Sequence, residues 1–138
     1  MAAETDLAVM LASITVSRRS GTWTFFTVRD PDEAARLMLA GSGVDALIRE
    51  AEGITAVATV EAAAALGATI EFEAAWLTLD VHSALEAVGL TAAVSRVLGD
   101  QGIPCNVIAA HHHDHLLVPV ERSDDAVAAI ESLRDGGA

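Results

Sequence analysis

The run Ala74-Ala75-Trp76-Leu77-Thr78-Leu79-Asp80-Val81-His82-Ser83-Ala84-Leu85-Glu86-Ala87-Val88-Gly89-Leu90-Thr91-Ala92-Ala93-Val94 holds a strand, a loop and the start of a helix in one piece. Over 74–81, Leu77, Leu79 and Val81 alternate with Trp76, Thr78 and Asp80, the period of two of a strand with one buried face. A helix over about 91–101 follows, with Leu90, Val94, Val97 and Leu98 as its apolar stripe. Gly102 stands where a left-handed C-terminal cap belongs, and Ile103-Pro104 ends the turn. Further on, Cys105–Ala110 and His115–Val120 read as two strands around a polar turn, an antiparallel hairpin. Ser123-Asp124-Asp125 reads as the cap and acidic first turn of a last helix, with Val127, Ile130 and Leu133 facing inward.

The first half repeats that order. Trp23–Val28 is rich in aromatic and β-branched residues and reads as a strand. Asp30-Pro31-Asp32-Glu33 starts a helix that stops at Gly41. Val44–Arg49 and Ile54–Val60 read as strands, and Glu61–Leu66 as a short alanine helix ended by Gly67. Ahead of these, residues 5–12 read as a short helix capped by Thr5 or Asp6, and Ser17-Arg18-Arg19-Ser20-Gly21 as a loop. Two β-α-β-β-α units imply an α+β, ferredoxin-like fold with antiparallel sheets and helices on one face. The expected division is 1–70 and 71–138. A unit of about 70 residues is marginal alone, so the lobes are expected to pack together or dimerise.

The charge excludes several functions. Twenty acidic residues face eight basic ones, all Arg, for a net −12. Such a chain repels phosphate backbones, so no nucleic-acid partner is expected. Schiff-base chemistry requires a Lys and none exists. The apolar runs fall short of the roughly 20 residues of a membrane span. The lone Cys105 cannot form an internal disulfide, and Glu4 and Asp6 stand where a secretory signal carries positive charge. A cytoplasmic protein with no membrane partner is expected.

Two segments could carry chemistry. His111-His112-His113-Asp114-His115 has the residue types of a metal site. On a strand, however, only His111, His113 and His115 share a face, so further ligands such as His82 or Asp80 would have to come from elsewhere. The plainer reading is a polar hairpin turn. The second segment is the loop 82–91. Ser83 and Glu86 have capping-box spacing, and free N–H groups at a helix start suit a carboxylate or other small anion. Gly41-Ser42-Gly43 resembles a dinucleotide fingerprint but follows a helix, so it reads as a helix stop. Cys105 reads as a small buried hydrophobe rather than a nucleophile.

Residues 76–94, together with Ile103-Pro104-Cys105-Asn106-Val107-Ile108-Ala109 and His113-Asp114-His115-Leu116-Leu117-Val118-Pro119, resemble bacterial tandem ACT-domain proteins of the group related to the CASTOR arginine sensors. Arg49-Glu50-Ala51-Glu52-Gly53 matches a segment of that group's first lobe. The likeness is dense over 76–120 and thin over 1–48. Where related sequences carry aromatic residues and a Gly, this chain has His111, His112 and Ala110. The resemblance implies two ACT units and a non-catalytic regulatory module with no cofactor. It implies a small amino acid at a lobe or subunit interface, its carboxylate on backbone N–H groups of the 82–91 loop. Carried over residue by residue, the ligand contacts are His82, Ser83, Leu85, Glu86, Val88, Gly89, Asn106, Val107 and Ile108. The ammonium would meet Asn106, nearby carbonyls or Glu86. A homodimer is expected. The alternatives are a metal-dependent enzyme built on His82, His111, His113 and His115, or a purely structural dimerisation domain.

Overall fold

A computed structural model describes residues 5–81 and 83–136. The elements in chain order are helix α1 (Leu7–Ala12), strands β1 (Val16–Arg18) and β2 (Trp23–Thr27), helix α2 (Pro31–Leu39), strands β3 (Val44–Glu50) and β4 (Gly53–Thr59), and helix α3 (Val60–Ala65). Strand β5 (Ala74–Leu79), helix α4 (Leu90–Asp100), strands β6 (Asn106–Ala109) and β7 (Asp114–Pro119), and helix α5 (Ser123–Glu131) follow. Short 3-10 turns flank α5 at Val120–Arg122 and Ser132–Asp135. The architecture is α+β, two ferredoxin-like units built on antiparallel strand pairs. Among the described residues no helix is long and apolar enough to cross a membrane.

One compact unit spans 21–74. Its strands lie in the order β3-β4-β2, antiparallel throughout, with a bulge between Val44 and Ala46. Asp30 caps α2 by accepting from the Glu33 N–H at 3.1 Å, with Pro31 in the first turn. Thr59 caps α3 in the same way, from the Ala62 N–H at 3.2 Å. Val28, Ala34, Ala56, Val44, Ala58 and Ala62 are buried, and Phe26 and Leu47 pack against them. Trp23 is also buried, and its indole N–H donates to Asp45 Oδ2 at 2.8 Å.

The other unit combines 5–20 with 75–136. The expected boundary at 70/71 follows sequence order, whereas this spatial grouping takes residues 5–20 with the later half. Its strands lie in the order β1-β5-β7-β6. Leu77, Leu79, Leu116 and Val118 turn one sheet face toward Val94 and Leu98 of α4 and Ala126, Ala129 and Ile130 of α5. Met10 of α1 and Ile14 belong to the same core and are almost wholly buried. The end of α4 follows the expectation. Ile103 N–H bonds to Leu98 O and Gly102 N–H to Gly99 O, both at 3.0 Å, with φ +68° at Gly102.

Three local expectations are corrected. Ser17–Gly21 was expected as a loop, yet Val16–Arg18 is a strand pairing antiparallel with Leu77–Leu79. Only Val16 of its three residues packs on the core, while Ser17 and Arg18 are exposed, so the segment has too little alternation of its own and the pairing with β5 defines it. Ser123 is not a cap: α5 continues from a 3-10 turn, Arg122 holds the cap position, and Ser123 Oγ donates to Val120 O at 2.9 Å. Ser83 and Glu86 form no capping box, because α4 starts later and its N-cap is Gly89.

Candidate functional site

The candidate site lies within the second unit, between the loop before α4 and the turn end of the β6–β7 hairpin. Gly89 adopts φ +105°, in the left-handed region, and no side chain caps the helix it precedes. The first intrahelical donor is Ala93 N–H, bonded to Gly89 O at 2.9 Å. The amides of Leu90, Thr91 and Ala92 therefore precede the ladder, at the positive end of an 11-residue helix.

These residues border a pocket of about 190 Å³. Ser83, Ala84, Leu85, Ala87 and Gly89 form its loop wall, Leu90, Thr91 and Ala92 its helix wall, and Ala109, Ala110 and Asp114 its hairpin wall. The side chain of Asp114 reaches this place by strand alternation. Asp114, Leu116 and Val118 share the helix-facing side of β7, and Ala109 is the cross-strand partner of Asp114. Burial raises the Asp114 pKa, and the nearby His115 and His113 oppose that rise. No arginine pairs with Asp114 among the described residues.

Of the expected contacts, Ser83, Leu85 and Gly89 line the pocket, and His82 lies outside the described residues. Glu86 and Val88 sit in the loop but point to solvent, Val88 at 81% exposure. Val107 packs on the core. Asn106 and Ile108 fall on the other side of β6, opposite Leu117 and His115. The hairpin contributes instead through Ala109, Ala110 and Asp114, with Thr91 and Ala92 from the helix. Asp114 was considered in the sequence only as a metal ligand. The in-register hydrophobes Leu116 and Val118 were the signal that places it on the helix-facing side.

The histidines divide. His111 and His112 are exposed in the turn, with ring centroids 4.8 Å apart. His113 and His115 meet edge to face at 6.5 Å, and His113 Nδ1 is buried with no hydrogen-bond partner among the described residues. His115 lies on the sheet face away from α4, where Trp76 Nε1–H donates to its Nδ1 at 3.2 Å and Thr78 Oγ1 lies 2.9 Å away. A Trp N–H only donates, so Nδ1 accepts and the Thr78 hydroxyl donates. The Arg19 guanidinium lies 4.0 Å from the centroid of the Trp76 ring. Burial, then Arg19 and His113, lowers the His115 pKa, partly offset by Asp114. Among the described residues no group of three or more His, Cys, Asp or Glu is arranged to hold a metal ion. Cys105 is half-buried against the core, and burial pushes its thiol up to about 11, far from a reactive thiolate.

ACT-domain sequence patterns match residues 71–132 and, separately, residues 2–75. A Vibrio cholerae protein of unknown function, described as a possible transport protein, is 34% identical over 93% of this chain and 95% of its own, with a TM-score of 0.80. The ligand-free regulatory subunit of aspartate kinase from Thermus thermophilus shares the fold at 12% identity and a TM-score of 0.59, over 86% of this chain and 95% of that one. A C-terminal regulatory domain assigned to aspartate kinase of Porphyromonas gingivalis matches at 12% identity and 0.58, over 88% and 96%. No curated protein matches the chain.

Proposed function

The chain belongs to the ACT-domain family, and from that premise we propose that it is a non-catalytic regulatory module that binds a small amino acid in the pocket before α4. The observation that carries this reading is the pairing, across one pocket, of an uncapped helix start with the Asp114 carboxylate, which has no arginine partner among the described residues. A zwitterion fits that pair. Its carboxylate accepts from the N–H groups of Leu90, Thr91 and Ala92, and its ammonium meets Asp114. The pocket is smaller than the roughly 300–1,000 Å³ of drug-sized sites, in keeping with a small metabolite. From the expected contact set the proposal keeps Ser83, Leu85 and Gly89, and it adds Asp114 as the ammonium acceptor. The regulatory chains of aspartate kinases that share the fold support a regulatory role. We also propose kinship with the CASTOR-related group, on the resemblance of residues 76–94, 103–109 and 113–119.

The test is the melting temperature of the whole chain against the twenty amino acids at millimolar concentration. A ligand at about 100 times its Kd adds ~2.7 kcal/mol, a rise of roughly 5–10 °C for a chain of this size. Asp114→Asn is expected to weaken the response at least tenfold, because it removes a charge-assisted bond worth about 1.5–3 kcal/mol. A flat profile for every amino acid overturns the proposal. We further propose a homodimer in the cytoplasm. Leu85 and Val88 are 73% and 81% exposed beside the pocket, an apolar surface suited to a second copy. Light scattering at the 14.3 kDa of one chain would refute the dimer.

A further inference from the structure

Helix α4 turns one face to the core and leaves the other uncovered. We infer that two copies of the chain meet on this outer face, α4 against α4 and antiparallel, an inference that rests on the homodimer proposed above and names a surface for it. Val94, Val97 and Leu98 belong to the core, whereas Ala92, Ser95, Arg96, Gly99 and Asp100 are exposed. Apart from the two ions, that face holds nothing larger than a serine, so a second helix can approach its backbone closely. Ser95 Oγ donates to Ala92 O at 3.3 Å, so the hydroxyl keeps a partner when water is excluded. Beside the face runs an apolar flank, where Leu11 of α1 and Leu133 of the turn after α5 join Ala93 and Val97.

Charge selects the occupant. Arg96 and Asp100 stand about one turn apart on α4, and neither side chain makes an ion pair or a hydrogen bond among the described residues. Within one helix they are badly matched. Arg ahead of Asp is the weaker order for a pair one turn apart, and Asp100 closes α4 at the end where the helix dipole disfavours a carboxylate. A second copy supplies both missing partners. When two such helices cross antiparallel about a two-fold axis level with Leu98, Arg96 of each lies opposite Asp100 of the other, and two ion pairs form together. A contact between identical copies demands a patch that complements itself. A cation and an anion one turn apart meet that demand, whereas an unrelated partner would need the reverse pattern on its own surface. The net −12 of the chain opposes self-association at long range, so a contact between copies has to bring its own cations, and Arg96 is one.

The experiment reads the mass of the full chain by light scattering, at a concentration just above the dimer Kd of the parent. Arg96→Asp sets carboxylate against carboxylate across the axis, and Asp100→Arg sets guanidinium against guanidinium. Each is expected to raise the Kd by about tenfold or more, so that each alone runs near the 14.3 kDa of one chain. Mixed in equal amounts, the two variants should regain the mass of two chains, because one copy then brings two carboxylates and the other two guanidinium groups. Both positions are exposed, so the circular dichroism of each variant should match that of the parent. A parent at the mass of one chain overturns both this surface and the homodimer. A dimer that persists in both variants overturns this surface and leaves the homodimer standing. Variants that remain single when mixed overturn the antiparallel pairing of Arg96 with Asp100.

Discussion

His115 holds a neutral ring in a place that penalises its charge. Its Nδ1 accepts from Trp76 and Thr78, and Arg19 lies over the same indole. Protonating Nδ1 would set N–H against N–H, so the folded chain resists the proton that the unfolded chain takes up below the ordinary value of 6.5. The unfolded state then binds more protons, and stability falls as the pH drops through that value. Asp114 acts with the opposite sign. Its raised pKa lets the folded state hold a proton above the ordinary carboxylate value of 3.8, so that part of the burial cost is relieved in acid. Lowering the pH from about 7.5 to about 5.5, a span bracketing the imidazole's ordinary value, is therefore expected to lower the melting temperature of the parent more than that of His115→Gln. Equal slopes for the two proteins would remove His115 from this account. Little of this was legible in the sequence. The alternation put Trp76, Thr78 and Asp80 on one face of β5, but which histidine of the cluster would meet them depends on hairpin register, which sequence spacing does not specify.

Most elements were legible because their signals are local. Asp30-Pro31, Gly102-Ile103 and the stripe Leu90, Val94, Val97, Leu98 each mark a boundary or a face within one turn of chain. Strand β1 and the start of α4 were not, because each depends on a distant partner. β1 is a strand by virtue of β5, and Gly89 ends the loop where Leu7 of α1 packs against it. An alanine Cβ at 89 would stand 2.9 Å from Leu7 Cδ2, on a backbone already at φ +105°. Gly89→Ala is expected to cost roughly 1–3 kcal/mol, read as a shifted urea midpoint. Gly99→Ala tests the opposite sign on the same helix. Nothing lies within 4 Å of its added Cβ, and a helical glycine costs about 0.5–1 kcal/mol relative to alanine, so stability should rise. If both variants move the midpoint the same way, the left-handed conformation at 89 is not what holds the helix start in place.

At the scale of the whole molecule, the chain is interleaved. Met10 and Ile14 are 1% and 0% exposed in a core whose other members come from residues 75–133, and β1 closes the edge of β5. Full burial of such side chains contributes roughly 1.5–3 kcal/mol each, a large share of the about 5–15 kcal/mol that holds a domain folded. The fragment 71–138, although matched by an ACT pattern over 71–132, is therefore expected to lack a cooperative melting transition. Addition of a peptide spanning 5–20 should restore one. A fragment that melts cooperatively at the temperature of the intact chain would show that residues 5–20 are dispensable.

The same interleaving has a consequence for synthesis. Residues 5–20 leave the ribosome before β5, α4 and α5, against which they fold. At about 5–20 residues per second the delay is on the order of ten seconds. During it, the apolar segment LAVMLA of α1 has none of the core residues it later packs against, while 21–74 can form its own sheet. Residues 5–20 are thus the segment that waits longest for its core and has most need of a chaperone meanwhile. A circular permutant that begins at residue 21 and carries 5–20 after 136 would remove that wait and should yield more soluble protein when expression is fast.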